Sequence, residues 1–399
     1  MTAVFSLVRW LGKYAPLRGL AALTGVLALA ACEPMAFTGA APSAPRVDPG
    51  TPVQVALLVP SGAGDAGRNV LAESLENAAR LAARDLSGVR IDLRVYSTAG
   101  NPQLAAQAAA RAADEGAQII LGPVFGSEAR PAGEAVAARG INVLSFSNDI
   151  SVAGGNVFVL GLTFENTARR LLNYAASQGR GQVMIVAERT PSGRAAIDAV
   201  RMAAPGTGAS VVAVETFEFS QQGVVEALPR ISETARGSGA DTILFSSGND
   251  GALPLLAQLL PDNRVGPPRF QYMGLTRWDI PPASLQQRGL QGGWFAKPDP
   301  ALAAQFEDRY RAAYGSSPHP IAGLAYDGIA AVGALISTGR GDALSRASLT
   351  QGSGFAGVNG VFRLLPNGRN QRGLAVATIR DNQVVILDRA PRSFVGPGF

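Results

Sequence analysis

The stretch VQVALLVPSGAGDAGRNVLAESLENAARLAARDL, residues 53–86, decides how the rest of the chain is read. An apolar strand pattern leads into Gly62-x-Gly64-x-x-Gly67, and a run with apolar residues at helical spacing completes a strand–loop–helix unit. The glycine spacing matches the outline of a dinucleotide-binding fingerprint, which also needs an acidic residue at the end of the following strand to hold ribose hydroxyls. That strand, IDLRVYSTAG, ends in Tyr96-Ser97-Thr98 instead, and Pro60 separates the first strand from the glycines. No cofactor is therefore expected. The loop headed by Ser61 is read as a Gly-rich loop at the carboxyl edge of a sheet, either ligand-facing or simply flexible.

Outward from this unit the pattern repeats. Strands are expected near 53–59, 91–96, 118–121 and 142–145, with helices near 69–86, 102–115 and 128–138 between them. After Gly154-Gly155 a second series begins, with strands near 157–160, 182–187, 209–216, 241–246 and 269–272 and helices near 165–178, 192–204, 222–236 and 250–260. Strand and helix in alternation predict an α/β fold of two doubly wound parallel-sheet lobes, because the series together exceed one ordinary domain. The helical patterns at 300–314 and 320–337 are expected to return to the first lobe, and the tail runs GVFRLL, LAVATIR and QVVILD to finish the second. The expected division is 52–155 plus 277–338 for lobe 1, 156–276 plus 339–390 for lobe 2, and a tail at 391–399.

The first 32 residues predict export. Arg9, Lys13 and Arg18 precede GLAALTGVLALAAC, an uncharged run too short for a stable membrane span. Its end, Leu29-Ala30-Ala31-Cys32, resembles a bacterial lipobox, which implies removal of residues 1–31 and a lipid on Cys32, the chain's single cysteine. Residues 32–51, small residues and prolines, are read as a lipidated flexible tether, and Glu33 after the cysteine favours the outer over the inner membrane. Loss of Arg9, Lys13 and Arg18 takes three charges from the formal +5 and leaves +2, with Lys297 as the remaining lysine. Without a basic run, no nucleic-acid partner is expected.

Several stretches resemble type I periplasmic binding proteins of the Leu/Ile/Val-binding class over residues 53–390: VALLVPSGAG, GAQIILGPVFGSEARPAGEAVAARGINVLSFSND and ADTILFSSGNDGALPLLAQLLP. Within that superfamily LGLTFENTARRL, VMIVAERTPSGRAAIDAVR and YMGLTRWD are similar to the penicillin-binding protein activators, outer-membrane lipoproteins that stimulate a bifunctional peptidoglycan synthase. The resemblance implies two lobes joined by three hinge crossings, expected near 153–157, 273–280 and 337–356, with a closable cleft between them. It also implies a regulator of peptidoglycan synthesis whose partner is a bifunctional penicillin-binding protein. The alternative is a solute-binding lipoprotein of an ABC importer with a small-molecule ligand in the cleft. The helical-repeat domain of the activators has no counterpart here, so contacts made by that domain are not carried over.

Cleft residues follow from the same resemblance. In amino-acid binders of this class a serine after the Gly-Pro turn and groups after the fourth strand hold the ligand carboxylate, and an acid in the second lobe holds its ammonium. Ser127, Ser145, Ser147 and Asn148 occupy the carboxylate positions, where Ser127 also suits a helix cap and the others a turn. Thr276 stands where the acid belongs, beside Arg277, and a hydroxyl next to a cation cannot compensate a buried ammonium. Thr190 and Ser192 replace an expected aromatic. Arg277 and Arg194 suit an anion or the surface, and Asp279 is the nearest substitute acid. A free α-amino acid is thus not the expected ligand.

Catalysis is not expected. His319, the one histidine, sits in a proline-bracketed loop, no G-x-S-x-G or H-E-x-x-H occurs, and no paired Cys/His spacing suggests a metal. Asp65, Asp149, Asp250, Asp279 and Asp327 read as caps and turn acids.

Overall fold

The structure, a computed structural model, describes residues 44–48 and 50–394, so the export signal and Cys32 fall outside the described residues. Its helices, in chain order, are α1 (Ala66–Asp85), α2 (Pro102–Asp114), α3 (Gly126–Ala137), α4 (Phe164–Ser177), α5 (Pro191–Ala203), α6 (Gln221–Gly237), α7 (Leu253–Asp262), α8 (Pro300–Tyr314), α9 (Gly323–Ile336) and α10 (Arg346–Leu349).

The first sheet runs β2-β1-β3-β4-β5, from β1 (Val53–Val59), β2 (Ile91–Ser97), β3 (Ile119–Leu121), β4 (Asn142–Ser145) and β5 (Val157–Val159), all parallel. Every residue of β1 is buried, as a central strand covered on both faces requires. Val55, Leu57 and Val59 pack with α1, α8 and α9, while Ala56 and Leu58 face α2 and α3. Helix α1 buries Leu71, Leu75, Ala78 and Ala82 at helical spacing, and Asp65 caps it by accepting Arg68 N–H at 3.0 Å.

The second sheet runs β15-β14-β10-β9-β8-β6-β7. Its strands are β6 (Gln182–Glu188), β7 (Ser210–Phe217), β8 (Thr242–Phe245), β9 (Gln271–Gly274), β10 (Trp294–Lys297), β14 (Ala375–Arg380) and β15 (Gln383–Asp388), with β14 and β15 antiparallel. Val183 and Ile185 pack against α4 and α5, and Met184 and Val186 against α6 and α7. A small third sheet, β11 (Phe355–Gly357), β12 (Gly360–Leu364) and β13 (Asn370–Arg372), buries Phe355, Phe362 and Leu364 in the core of the first lobe.

Four expectations change. Residues 157–159 close the first sheet rather than opening the second, because Gly154 and Gly155, both at positive φ, form a tight turn in which Gly154 and Val157 exchange backbone bonds. Residues 294–297 belong to the second sheet, since β10 pairs with β9 and β14. GVFRLL lies in the third sheet, not the second. The packed chain begins inside the expected tether: Val47 is buried, its N–H donates to Gly341 O at 2.8 Å, and Arg46 O accepts Gln118 Nε2 at 2.8 Å.

The chain passes between the sheets near residues 160–163, 297–300 and 370–374, later in each case than the sequence suggests. The first and third crossings are clasped together. Asn370 Nδ2 donates to Val159 O (2.7 Å) and Gly161 O (2.9 Å), and Arg372 Nε donates to Leu160 O (2.9 Å). Arg372 also meets Asp327 of α9 at 3.0 Å, a fully buried ion pair that ties the hinge to the first lobe.

Candidate functional site

Strand order reverses beside β1 and β3 in the first sheet and beside β6 and β8 in the second. In open α/β sheets the crevice at the carboxyl ends of such strands is where ligands bind. The first two interlobe crossings leave from these same carboxyl edges, after β5 and after β10.

On the first edge the Ser61 and Ser97 hydroxyls bond each other at 2.6 Å, and Gly62 N–H reaches Asn69 Oδ1 at 3.4 Å. Ser145 donates to Pro123 O (3.0 Å) and accepts Ser147 N–H (3.2 Å), while Ser147 Oγ accepts Asp149 N–H (3.0 Å). The serines after β4 thus serve their own turn. Ser127 is exposed and is the second residue of α3, not its cap; the capping position falls on Phe125, whose N–H meets Glu128 Oε2 at 3.4 Å. Glu128 is fully buried, and burial pushes its carboxyl above the ordinary range. Asn148 is exposed beside Asp149.

On the second edge Thr190 caps α5 by accepting Gly193 N–H at 3.0 Å, and Ser192 and Arg194 are exposed. Two residues that sequence reasoning passed over stand at the switch point: Ser246 and Ser247, after β8, both donate to Glu188 Oε2 at the end of β6. The strand-end position of Glu188 was the available signal. Beside them, Asn249 Nδ2 donates to Trp278 O (3.1 Å) and Ile280 O (2.9 Å), fixing the loop that carries Thr276, Arg277 and Asp279.

Asp279 is neither a cap nor a free acid. Arg277 grips it with Nε on Oδ1 at 2.9 Å and an outer nitrogen on Oδ2 at 2.7 Å, and Lys297 Nζ donates to Oδ2 at 2.7 Å. Lys297 arrives because β10 lies parallel beside β9, a placement invisible in a linear reading. Burial pushes the Asp279 carboxyl up, but the hydrogen bonds and charges of Arg277 and Lys297 outweigh it and hold it below its ordinary 3.8. A depressed folded value stabilises the fold above 3.8 and loses that contribution as pH falls through the folded value. Urea titrations should therefore show a stability gap between wild type and Asp279→Asn that is constant above about pH 5 and closes in acid. A gap independent of pH would contradict the ionised cluster.

Asp65 and Asp149 serve as a cap and a turn acid, as expected; Asp279 and Asp327 are ion-paired instead. His319 is a packing residue: its Nδ1 accepts Ile321 N–H at 3.3 Å, its own N–H donates to Ser74 Oγ at 2.7 Å, and burial pushes the ring below 6.5. Among the described residues no group of three or more His, Cys, Asp or Glu is placed to hold a metal, and no helix is long and apolar enough to cross a membrane. Exposed Val70, Leu104, Phe219, Val225 and Ile280 lie on the segments leaving the two carboxyl edges.

The chain matches the family model "Periplasmic binding protein" over residues 52–383. No curated protein matches. A putative branched-chain amino acid ABC transporter from Rhodospirillum rubrum superposes with a TM-score of 0.70 at 17% identity, covering 84% of this chain and 100% of that one. A solute binding protein of an ABC transporter from R. palustris, in complex with benzoate, gives 0.56 at 18% identity over 87% of this chain and 99% of that one. A leucine binding protein from Thermotoga maritima gives 0.55 at 15% identity over 84% and 97%. With the match spanning both sheets and the crossings between them, the chain belongs to the periplasmic binding protein family.

Proposed function

We propose that this protein is a non-catalytic, periplasmic solute-binding lipoprotein, anchored through Cys32, that receives a small polar solute between its lobes and delivers it to an ABC importer. The observation that carries the reading is the cluster at the second carboxyl edge: two cations on Asp279, next to Thr276, whose hydroxyl is buried without a partner among the described residues. Asp279 is already paired with two cations, which argues against its holding a ligand ammonium and so against a free α-amino acid, whereas an organic acid such as the benzoate of the R. palustris protein is compatible. Val47 is held next to the amino ends of β1 and β3, on the side opposite the carboxyl edges.

A thermal-melting panel on the full chain tests this. A solute at a hundred times its Kd adds about 2.7 kcal/mol to stability, a rise of roughly 3 °C or more. Small carboxylates should give it and leucine should not. A flat response across anionic, neutral and cationic solutes would contradict the proposal.

A second reading has its own support. The hydroxyls of Ser145, Ser147 and Thr190, which would hold a ligand, are engaged with the chain's own backbone, as in a fold adapted to touch another protein. On that reading the protein activates a bifunctional penicillin-binding protein, from the outer membrane. Its test is saturable binding to that synthase's periplasmic part with faster glycan polymerisation.

A further inference from the structure

Strand β6 ends on an acid that the fold engages on one side only. Glu188 is its last residue, 8% exposed, and stands at the switch point beside the end of β8. Ser246 and Ser247, both buried, follow β8 and turn their hydroxyls onto the same carboxylate oxygen, Oε2, at 2.5 and 2.8 Å. Ser246 is itself fixed to the sheet, its N–H donating to Val186 O at 3.2 Å. The carboxylate is therefore held between two neighbouring strands at the point where open α/β sheets take their ligands.

A carboxylate oxygen accommodates two donors, and Oε2 has both. Oε1 has none: among the described residues no donor reaches it and no cation pairs with Glu188, although this oxygen is not sealed from water. Each serine has one hydroxyl proton and gives it to Oε2, so the cluster still offers acceptors alone, Oε1 and the lone pairs of two hydroxyl oxygens. Buried acceptors of this kind are normally met by a donor. A solute carboxylate placed there would face a like charge, whereas a hydroxyl would form a charge-assisted hydrogen bond. The two serine bonds already answer the acid's charge without a cation, so the solute has to bring a proton donor rather than a positive charge.

Resting on the solute-binding reading, we infer that Glu188, oriented by Ser246 and Ser247, is a specificity-determining residue of the second lobe: its Oε1 receives a hydroxyl of the solute, and the solute class is a small hydroxylated organic acid.

Titration calorimetry of the full chain tests this with benzoate, meta- and para-hydroxybenzoate, their methyl ethers, and para-(aminomethyl)benzoate, which carries an ammonium instead of the hydroxyl. One of the hydroxybenzoates should bind about 10- to 100-fold more tightly than benzoate, the usual worth of a hydrogen bond to a charged group, and its methyl ether should lose that gain. Glu188→Gln should shrink the hydroxyl preference to about threefold and leave benzoate affinity nearly unchanged. A purely structural Glu188 would lower both affinities alike and keep their ratio, which would overturn the inference. The wild-type comparison of hydroxyl with methyl ether stands even where the variant folds poorly. Equal binding of benzoate and both hydroxybenzoates, or tightest binding of the ammonium compound, would overturn the inference while leaving the solute-binding reading in place. No binding by any of these probes would overturn it as well, and a flat response across anionic, neutral and cationic solutes would take the solute-binding reading with it.

Discussion

Replacing Arg372 by methionine should lower the unfolding free energy by about 3–5 kcal/mol, the cost of stranding a buried charge. Asp327 is fully buried and accepts Val358 N–H on Oδ1 (2.7 Å) as well as Asn359 Nδ2 (3.3 Å) and Arg372 (3.0 Å) on Oδ2. The arginine is itself 6% exposed, lies over the Phe362 ring at 4.9 Å and donates to Leu160 O in the first crossing. Its removal leaves a carboxylate in the core and a carbonyl of the hinge without its donor. The double variant Arg372→Met/Asp327→Asn keeps the acceptor for Val358 but removes the stranded charge, so it should be more stable than Arg372→Met alone. Denaturant midpoints at constant m-value read both effects. A loss below about 1 kcal/mol for the single variant would mean that the pair is not the charged clasp described here.

Trp278→Ala should cost a similar amount, about 3–5 kcal/mol, and should also abolish solute binding. The indole is fully buried, stacks on Phe295 at 6.3 Å and fills a slot left by two glycines. A Cβ on Gly274 would lie 2.0 Å from its Nε1 and one on Gly293 2.1 Å from its ring. Trp278 sits between Arg277 and Asp279, so the ring that stabilises the lobe also sets where the cations stand. Gly274→Ala, which pushes the ring without removing it, should reduce benzoate affinity and melting temperature together. Trp278→Ala with unchanged benzoate affinity would separate the cluster from binding.

Much of this fold was legible because its signals are local. The alternation of buried strands and amphipathic helices fixed most elements of both sheets, including 300–314. What misled was punctuation: Gly154-Gly155 reads as a domain break but turns the chain back into the same sheet. WFAK at 294–297 follows two glycines, is four residues long, and gains its strand identity only from β9 and β14. The site was legible in part. The missing acid at Thr276 and the proximity of Asp279 to Arg277 are visible in YMGLTRWD, whereas Lys297 lies 18 residues beyond Asp279 and joins it only through strand pairing. The turn role of Ser145 and Ser147 was one of two readings open in the sequence, and their bonds to Pro123 O and Asp149 N–H fit it.

The most direct measurement is hydrogen–deuterium exchange of the full chain with and without saturating benzoate. A solute held between the carboxyl edges should slow exchange in peptides covering 60–68, 122–127 and 146–150 of the first lobe together with 246–250, 275–279 and 297–300 of the second. Protection confined to one lobe, or found at the amino edges near Val47 and Gln118, would contradict a cleft-bound solute.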